Sequence, residues 1–484
     1  MNYKMIGRIL AQILALEAIF LIPPALICVM DGEMGVALNF VQTILIVALV
    51  SGLLWAVCRK APRRFYAREG LVCVAGGWIV MSVLGCLPFW LSGQIPSYVD
   101  ALFEVVSGFT TTGASILPEV EVLSRGLLYW RSFTHWLGGM GVLVFLLALA
   151  GPRGQNNGFT MHLLRAESPG PDVGKLVPKM RQTASVLYFL YLALTVLDII
   201  FLLAGGMSVF DALCTAFGTA GTGGFGVKND SLAGYSPYLQ NVTTVFMLLF
   251  GVNFSCYYLL IMRHFLSVFR DEELRFYLGT VAVSTCIIAV NIRGLYDTLG
   301  ETIRHAAFQV ASIITTSGFA TADFDLWPNL SRTILLCLMF LGACAGSTGG
   351  GLKCARAMLL AKSVRRNIRQ SLYPEKVEVV RMNGNPISER VMANANVYLT
   401  AYALILLASW LIISLDGFSV TTNFSAVVSC FNNIGPGLEA VGPTCNYAGY
   451  SLLSKLVLIF DMLAGRLEIL PMLALCSTST WRRR

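Results

Sequence analysis

Long apolar stretches alternate with short polar loops along the whole sequence. A helix needs about 20 apolar residues to cross the hydrocarbon core of a bilayer. Stretches near that length predict about ten crossings, at 5–30, 36–57, 71–91, 127–150, 183–205, 238–262, 275–291, 331–361, 392–415 and 451–476. The pattern therefore predicts an all-α polytopic membrane protein.

Shorter apolar stretches lie between some of these spans and end in small polar residues with glycine. They are too short to cross a bilayer, and we predict re-entrant helices at 101–110, 212–221, 306–315 and 424–432. The four surrounding segments match in step: DALFEVVSGFTTTGAS, DALCTAFGTAGTGGFG, HAAFQVASIITTSGFA and TNFSAVVSCFNNIGPG. Because all four segments align without gaps, they predict a repeated unit that consists of a membrane span, a re-entrant helix, a glycine loop and a second span.

This repeat predicts the domain organisation of the chain. Two N-terminal helices form an extension, and four membrane–pore-loop–membrane repeats surround one pore. The predicted boundaries are 1–69 for the extension and 70–150, 151–265, 266–381 and 382–484 for the repeats.

The glycine loops are the candidate functional site. Irregular backbone at membrane depth is tolerated only where protein or a water-filled cavity surrounds it, and a ring of carbonyl oxygens can replace the hydration shell of a monovalent cation. The candidate residues are Thr111, Thr112 and Gly113 (loop 1), Thr222, Gly223 and Gly224 (loop 2), Thr316, Ser317 and Gly318 (loop 3), and Asn433, Ile434 and Gly435 (loop 4). These triplets contain no carboxylate, whereas a filter for divalent cations more often uses an acidic ring.

Acidic residues flank the loops and have two compatible interpretations. Asp100, Glu104, Glu119 and Asp211 are expected near the outer mouth, where they raise the local cation concentration. Alternatively, Asp100 and Asp211 are N-caps of the short helices.

Composition and charge agree with a membrane protein. The chain is 56% hydrophobic and 13% charged, against about a quarter charged in soluble proteins. Basic residues cluster in alternate loops, at 59–68, 263–275, 353–369 and 482–484. This asymmetry predicts cytoplasmic termini and argues against nucleic acid as a partner. The 13 cysteines show no metal-ligand spacing, and most are expected to be buried apolar residues.

With these motifs the chain resembles Trk-type potassium uptake subunits of the Trk/Ktr/HKT superfamily. The resemblance covers nearly the whole chain and includes the segments GACAGSTGGGLK (342–353) and AGRLE (464–468). It implies K⁺ as the transported ion, a bacterial inner membrane, a homodimer, a cytoplasmic nucleotide-binding ring of RCK subunits and no organic cofactor. Glycine in all four loops is similar to the potassium-selective members, and loop 4, with Ile434 before Gly435 and Pro436 after it, departs most.

Two further features belong to the inner half of the predicted pore. Glycines interrupt the eighth span at Gly346, Gly349, Gly350 and Gly351. The segment does not match the phosphate-binding loop motif, because Leu352 separates the last glycine from Lys353. The resemblance implies a gate, and the alternative is close helix packing.

Arg466 is the second of these features, because an arginine inside a span usually faces a cavity or a partner. The resemblance places it in the pore. Its alternatives are an ion pair with Glu468 or Asp461, or snorkelling to the cytoplasmic side.

The favoured function is a potassium-selective pore, gated by the glycine segment and a cytoplasmic partner. The alternative is a symporter coupled to H⁺ or Na⁺, or a less selective K⁺/Na⁺ transporter. No convergent catalytic residues are evident in the spans, so an enzyme is not expected. The basic loop 353–390 is predicted either to dock the partner or to contact anionic lipid.

Overall fold

The computed structural model describes residues 1–60, 66–141, 180–375 and 378–482. Helices dominate these residues, and the β-structure in them is one antiparallel pair of two-residue strands, β1 Arg381–Met382 and β2 Asn385–Pro386. Six helices are long and apolar enough to cross a membrane, or seven if one bent pair counts as a span. The predicted all-α polytopic class is therefore confirmed.

Three helices precede the first repeat. They are α1 Tyr3–Phe20, α2 Ile22–Met30 and α3 Met34–Cys58. Two prolines in the first turn of α2 need no backbone donor there, and α1 and α2 together form one apolar span. The outward face of α3, including Leu45, Leu49 and Leu53, is exposed, as expected for a helix that faces lipid.

Short helices occupy the four predicted re-entrant positions. They are α6 Tyr98–Phe109, α9 Val209–Gly221, α14 Leu299–Ile314 and α18 Val420–Phe431. Each begins at a serine or threonine whose side-chain oxygen accepts a hydrogen bond from the backbone N–H at the third helical residue, at Ser97, Ser208, Thr298 and Ser419. The prediction that Asp100 and Asp211 are N-caps is therefore wrong, because each stands at that third position.

The remaining helices flank these four. They are α4 Ala67–Gly85, α5 Leu87–Leu91, α7 Arg125–Gly139, α8 Met180–Ala204, α10 Pro237–Phe250, α11 Phe254–Ile261, α12 Phe265–Phe269, α13 Glu272–Asn291, α15 Asn329–Leu341, α16 Cys354–Leu372, α17 Glu389–Ile413, α19 Leu452–Arg466, α20 Leu470–Cys476 and α21 Thr478–Trp481. Short 3₁₀ turns lie at Arg293–Leu295, Phe324–Leu326, Ser414–Asp416 and Glu439–Val441.

The helices that follow the glycine loops are interrupted. A bend of 89° separates α10 from α11, the segment 342–353 separates α15 from α16, and residues 467–469 separate α19 from α20. The predicted spans at 238–262, 331–361 and 451–476 are thus not continuous helices. The span at 127–150 contains α7, and its residues after 141 lie outside the described part of the chain.

Close backbone contacts lie near the carboxyl ends of α7 and α19. A Cβ added to Gly138 would overlap the carbonyl oxygen of Phe109, and one added to Gly465 would overlap that of Phe431. Each glycine therefore lets its helix approach the end of a short helix.

Nine of the 13 cysteines are buried, which confirms their predicted role as small core residues.

Candidate functional site

The four glycine loops share one backbone conformation. The first residue of each triplet is left-handed, with φ of 54° at Thr111, 55° at Thr222, 60° at Thr316 and 57° at Asn433. The glycine two residues later also has positive φ, at 79° in Gly113, 77° in Gly224, 74° in Gly318 and 100° in Gly435. L-residues rarely adopt such angles, so their recurrence indicates four equivalent sites rather than four unrelated helix ends.

A repeated hydrogen-bond pattern ends the short helices at these loops. The middle residue of each triplet donates its N–H to the carbonyl five residues earlier, as Thr112 to Ser107 at 2.8 Å, Gly223 to Gly218 at 2.9 Å, Ser317 to Ser312 at 2.8 Å and Ile434 to Ser429 at 2.9 Å. The first residue of each triplet donates to the carbonyl three residues earlier. This is the Schellman arrangement, which requires a left-handed residue after the helix.

The loops touch one another in a closed ring that follows the chain order. A Cβ added to Gly113 would overlap the carbonyl oxygen of Gly223, the middle residue of loop 2. In the same way, a Cβ added to Gly224 would overlap the carbonyl oxygen of Ser317, and one added to Gly318 would overlap that of Ile434. Gly435 closes the ring, since its added Cβ would lie 2.7 Å from the carbonyl oxygen of Thr112 in loop 1. The structure thus brings all four predicted triplets together.

The electrostatics of the ring favour a cation. The carboxyl ends of α6, α9, α14 and α18 all lead directly into the loops, and a helix carries roughly half a negative charge at that end. The triplets contain no charged side chain. Carbonyl oxygens and helix dipoles can therefore replace part of the hydration shell of a monovalent cation.

Side chains of the loops bind neighbouring loops and helices. The Asn433 amide nitrogen donates to the Thr112 hydroxyl at 3.0 Å and to the Met462 carbonyl at 2.9 Å, so it joins loop 4 to loop 1. The Thr315 and Ser317 hydroxyls lie 2.9 Å apart. These buried contacts hold the loop backbones in place, because an unmade buried hydrogen bond is costly.

The glycine segment 342–353 lies against loops 3 and 4. Its Gly350 N–H donates to the Thr316 hydroxyl at 2.6 Å, and a Cβ added to Gly350 would lie 3.0 Å from that of Asn433. A Cβ added to Gly349 would lie 2.9 Å from the carbonyl oxygen of Thr315. These contacts place the segment directly beside the ring.

The other two predicted glycines have different surroundings: Gly346 lies near the bend between α10 and α11, and Gly351 lies against the start of the segment. Gly346 accepts a hydrogen bond from the Phe254 N–H at 3.1 Å, and its added Cβ would lie 3.1 Å from the Asn253 amide oxygen. Gly351, at φ 74°, packs against Gly342, with 3.1 Å between its added Cβ and that residue's Cα. The segment is thus folded into a compact loop by close backbone contacts.

Arg466 contacts this segment from the end of α19. Its guanidinium donates to the carbonyls of Thr348 at 2.8 Å, Gly138 at 2.6 Å and Gly139 at 2.7 Å. The acidic residues suggested as its partners have other contacts, since Glu468 forms an ion pair with Arg356 and Asp461 accepts a hydrogen bond from Ser409. Arg466 therefore connects the glycine segment to the end of α7.

The outer acidic residues differ from expectation in part. Asp100 forms an ion pair with Lys455 at 2.6 Å, and Asp211 accepts a hydrogen bond from Tyr235 at 3.1 Å. Glu104 does not line an outer mouth: its side chain is 1% exposed and is ion-paired with Arg131 at 2.6 Å. Burial beside a cation keeps Glu104 from attracting ions out of solution.

Sequence reasoning missed several residues that support the ring. Arg131 also donates to the Gly226 carbonyl at 3.0 Å, so it connects α7 to the chain after loop 2. Glu273 on α13 accepts hydrogen bonds from Ala345 at 2.6 Å and Ala355 at 3.0 Å, which fixes both ends of the glycine segment. Arg131 could have been found from the sequence, because a charged residue inside an apolar stretch indicates a buried partner or a cavity. Glu273 lies near the boundary of a predicted span, where charged residues are common, so its role could not be inferred from the sequence.

Comparison with known proteins agrees with this architecture. Residues 37–481 match the family model of TrkH, described as a cation transport protein. The chain is 34% identical to the Trk system potassium uptake protein TrkH of Salmonella typhimurium, over 100% of both chains. It is 32% identical to TrkG of Escherichia coli, over 96% of both chains.

A solved structure shows the same fold. The crystal structure of the potassium transporter TrkH from Vibrio parahaemolyticus superposes with a TM-score of 0.88 at 30% identity, over 100% of both chains. Family match, relatives and fold all cover essentially the full length of this sequence. The chain therefore belongs to the TrkH family of cation transport proteins.

Proposed function

We propose that the chain is a potassium-selective uptake pore whose selectivity filter is formed by loops 1 to 4. The observation that carries this proposal is the closed ring of four left-handed turns, each with a glycine against the carbonyl of the next loop. A ring of carbonyl dipoles with no carboxylate suits a monovalent cation. The similar proteins are a potassium uptake protein and a potassium transporter, which supports K⁺ as the substrate.

Ion flux in liposomes tests this proposal. Purified protein is reconstituted, and uptake of K⁺, Rb⁺, Na⁺ and Li⁺ is measured in turn under the same membrane potential. We expect K⁺ and Rb⁺ to enter faster than Na⁺ and Li⁺. Equal Na⁺ and K⁺ flux contradicts the selectivity, and flux that requires an imposed H⁺ or Na⁺ gradient favours the coupled symporter.

We further propose that the glycine segment 342–353 is a gate held by Arg466. The support is the direct hydrogen bond between Gly350 and Thr316 and the three carbonyls to which Arg466 donates. Removing the guanidinium frees the segment and removes a positive charge from the conduction path. We therefore expect Arg466→Ala to raise K⁺ flux.

The control for this gate variant is Arg125→Ala. Arg125 is an arginine with a 55% exposed side chain that pairs with Asp31, far in sequence from the glycine segment. Both variants are compared with the unmodified protein at equal reconstituted amounts. Unchanged flux in Arg466→Ala contradicts the gate, and an equal change in both variants indicates a non-specific charge effect.

We propose that a cytoplasmic ring of RCK-type nucleotide-binding subunits docks on α16 in the basic loop 353–390. An exposed apolar stripe on this helix, formed by Val364, Ile368 and Leu372, supports the proposal. Three helical residues at spacing four lie on one face, beside the exposed Arg365. Ile368→Glu is expected to abolish co-purification with the ring while leaving flux of the isolated protein unchanged. Retained co-purification, with binding to anionic vesicles lost instead, supports the lipid alternative.

The remaining organisation is proposed from charge pattern and family resemblance. The protein is a homodimer in the bacterial inner membrane, with both termini in the cytoplasm and the four repeats bounded at 70–150, 151–265, 266–381 and 382–484. The basic loops support this orientation. Reporter fusions at each terminus test it, and a periplasmic signal at either end contradicts it.

A further inference from the structure

The ring of four loops is not fully symmetric, and the difference lies between loops 4 and 1. Gly435 has φ of 100°, whereas the glycines of the other loops lie between 74° and 79°. Its added Cβ would lie 2.7 Å from the Thr112 oxygen, while the other three glycines would overlap the neighbouring carbonyl oxygen more deeply. The contact between loop 4 and loop 1 is therefore the most open in the ring.

A buried tyrosine lies at this contact. The Tyr447 hydroxyl donates to the carbonyl oxygen of Gly435 at 2.7 Å. Its backbone N–H donates to the carbonyl of Ser115, just after loop 1, at 2.8 Å. The residue is 2% exposed, and its ring packs against that of Phe103 on α6, with centroids 5.7 Å apart. Tyr447 thus joins the two loops through its backbone and its hydroxyl.

The Ser115 side of this contact is also anchored. The Ser115 hydroxyl donates to Glu104 at 3.0 Å, and Glu104 is the buried partner of Arg131. Tyr447 is consequently attached to a rigid support on the loop 1 side. On the loop 4 side it binds the carbonyl of the glycine itself, so a displacement of its hydroxyl acts directly on a ring residue.

We propose that Tyr447 is a specificity-determining positioning residue: its hydroxyl holds the Gly435 carbonyl at the distance from the axis that suits K⁺ rather than Na⁺. This inference rests on the proposed filter function. A carbonyl oxygen has two lone pairs, and the Tyr447 hydroxyl binds one of those of Gly435. With the hydroxyl absent, the Gly435 carbonyl is free to rotate and move inward, and a looser ring accepts a smaller cation more readily.

The test is Tyr447→Phe, which removes one oxygen and keeps the buried ring. The K⁺/Na⁺ uptake ratio is measured in liposomes for the full-length protein, with the thermal midpoint in detergent measured in parallel. We expect the ratio to fall about two- to tenfold, the range that follows from losing one buried hydrogen bond, with K⁺ uptake retained.

Tyr450→Phe is the matched control. Tyr450 is also buried and stacks near Tyr447 at 6.1 Å between ring centroids, but its hydroxyl donates to the Asn423 side chain on α18 at 3.0 Å rather than to a loop carbonyl. The two variants lose the same group at neighbouring positions. If the two hydroxyls have only a structural role, both variants have a lower midpoint of thermal unfolding and neither has a changed K⁺/Na⁺ ratio.

A second modification keeps the test decisive if Tyr447→Phe folds poorly. Replacement of the Tyr447 side chain by 3-fluorotyrosine retains the hydroxyl and makes it a stronger donor, so the K⁺/Na⁺ ratio is expected to rise above the unmodified value. A ratio at or below that value overturns the inference. A ratio unchanged by Tyr447→Phe, or lowered equally by Tyr450→Phe, overturns the inference. Equal K⁺ and Na⁺ flux in the unmodified protein instead overturns the proposed filter, and the inference falls with it.

Discussion

Substitution of a ring glycine gives the most direct test of the geometry, and Gly113→Ala is the sharpest case. A Cβ at this position would overlap the Gly223 carbonyl oxygen and lie 3.2 Å from the carbonyl carbon. Carbon atoms in optimal contact are about 3.5–4.0 Å apart, and the oxygen of loop 2 would have to move by about 1 Å or more. The variant therefore changes the distance between loops 1 and 2.

The backbone adds a second cost at the same residue. Gly113 has φ of 79°, and an L-residue in the left-handed region costs about 1–2 kcal/mol. About 1.4 kcal/mol corresponds to a tenfold change in an equilibrium, so loop 1 is expected to leave its ring conformation in a large fraction of molecules. We expect K⁺ uptake to fall at least about tenfold and the K⁺/Na⁺ ratio to approach one.

The assay is uptake of K⁺ and Na⁺ into liposomes at equal protein content, with Gly93→Ala as control. Gly93 also has positive φ, 72°, but a Cβ there meets nothing within 4 Å. The control therefore has the backbone cost without the contact in the ring. Unmodified flux and selectivity in Gly113→Ala refute the ring geometry, as does an equal loss in Gly93→Ala.

Three further predictions follow from buried or paired charges. Glu104→Gln leaves Arg131 as an uncompensated buried charge and is expected to lower stability by about 3–5 kcal/mol, seen as a lower thermal midpoint; an unchanged midpoint contradicts it. Glu104→Gln combined with Arg131→Met is expected to recover part of that loss, and a double variant no more stable than the single one argues against a pairwise effect. Hydrogen bonds from Ser419 and Thr422 lower the pKa of Glu439 from 4.5. The ionised Glu439 side chain therefore stabilises the fold fully above pH 4.5, and this contribution is lost as the pH falls through the lowered pKa. We expect Glu439→Gln to change the pH midpoint of acid unfolding, and an unchanged midpoint argues against this.

The positions of the loops could be predicted from sequence because the repeat is regular. Each glycine stands at the same distance from the first residue of its matched sequence segment, so four weak signals supported one another. The left-handed conformation of the residue two positions before each glycine could not be predicted. Threonine and asparagine occupy it, at Thr111 and Asn433 for example, and the Schellman hydrogen bonds that stabilise it depend on the helix end rather than on residue type.

Contacts between distant segments explain what sequence reasoning did not find. Tyr447 reaches Gly435 from a loop with no distinctive pattern, and Arg466 finds its acceptors on Thr348 and Gly138, far away along the chain. The N-cap assignment of Asp100 was wrong because an acidic residue is favourable in the first turn as well as at the cap. At these positions the sequence pattern alone does not show whether a residue is placed by the local preferences of its helix or by a contact with a distant segment.

The ring closes between the first and last loops, which has a consequence for biosynthesis. Asn433 donates to Thr112 across 321 residues of sequence, and Lys455 pairs with Asp100 across 355. A chain synthesised from its N-terminus at about 5–20 residues per second carries loops 1 to 3 for many seconds before loop 4 enters the membrane. During that interval the carbonyl of Thr112 lacks its neighbour, and a ribosome that stops before residue 435 leaves three quarters of a ring. Premature termination before that residue therefore leaves the contact between loops 1 and 4 unformed.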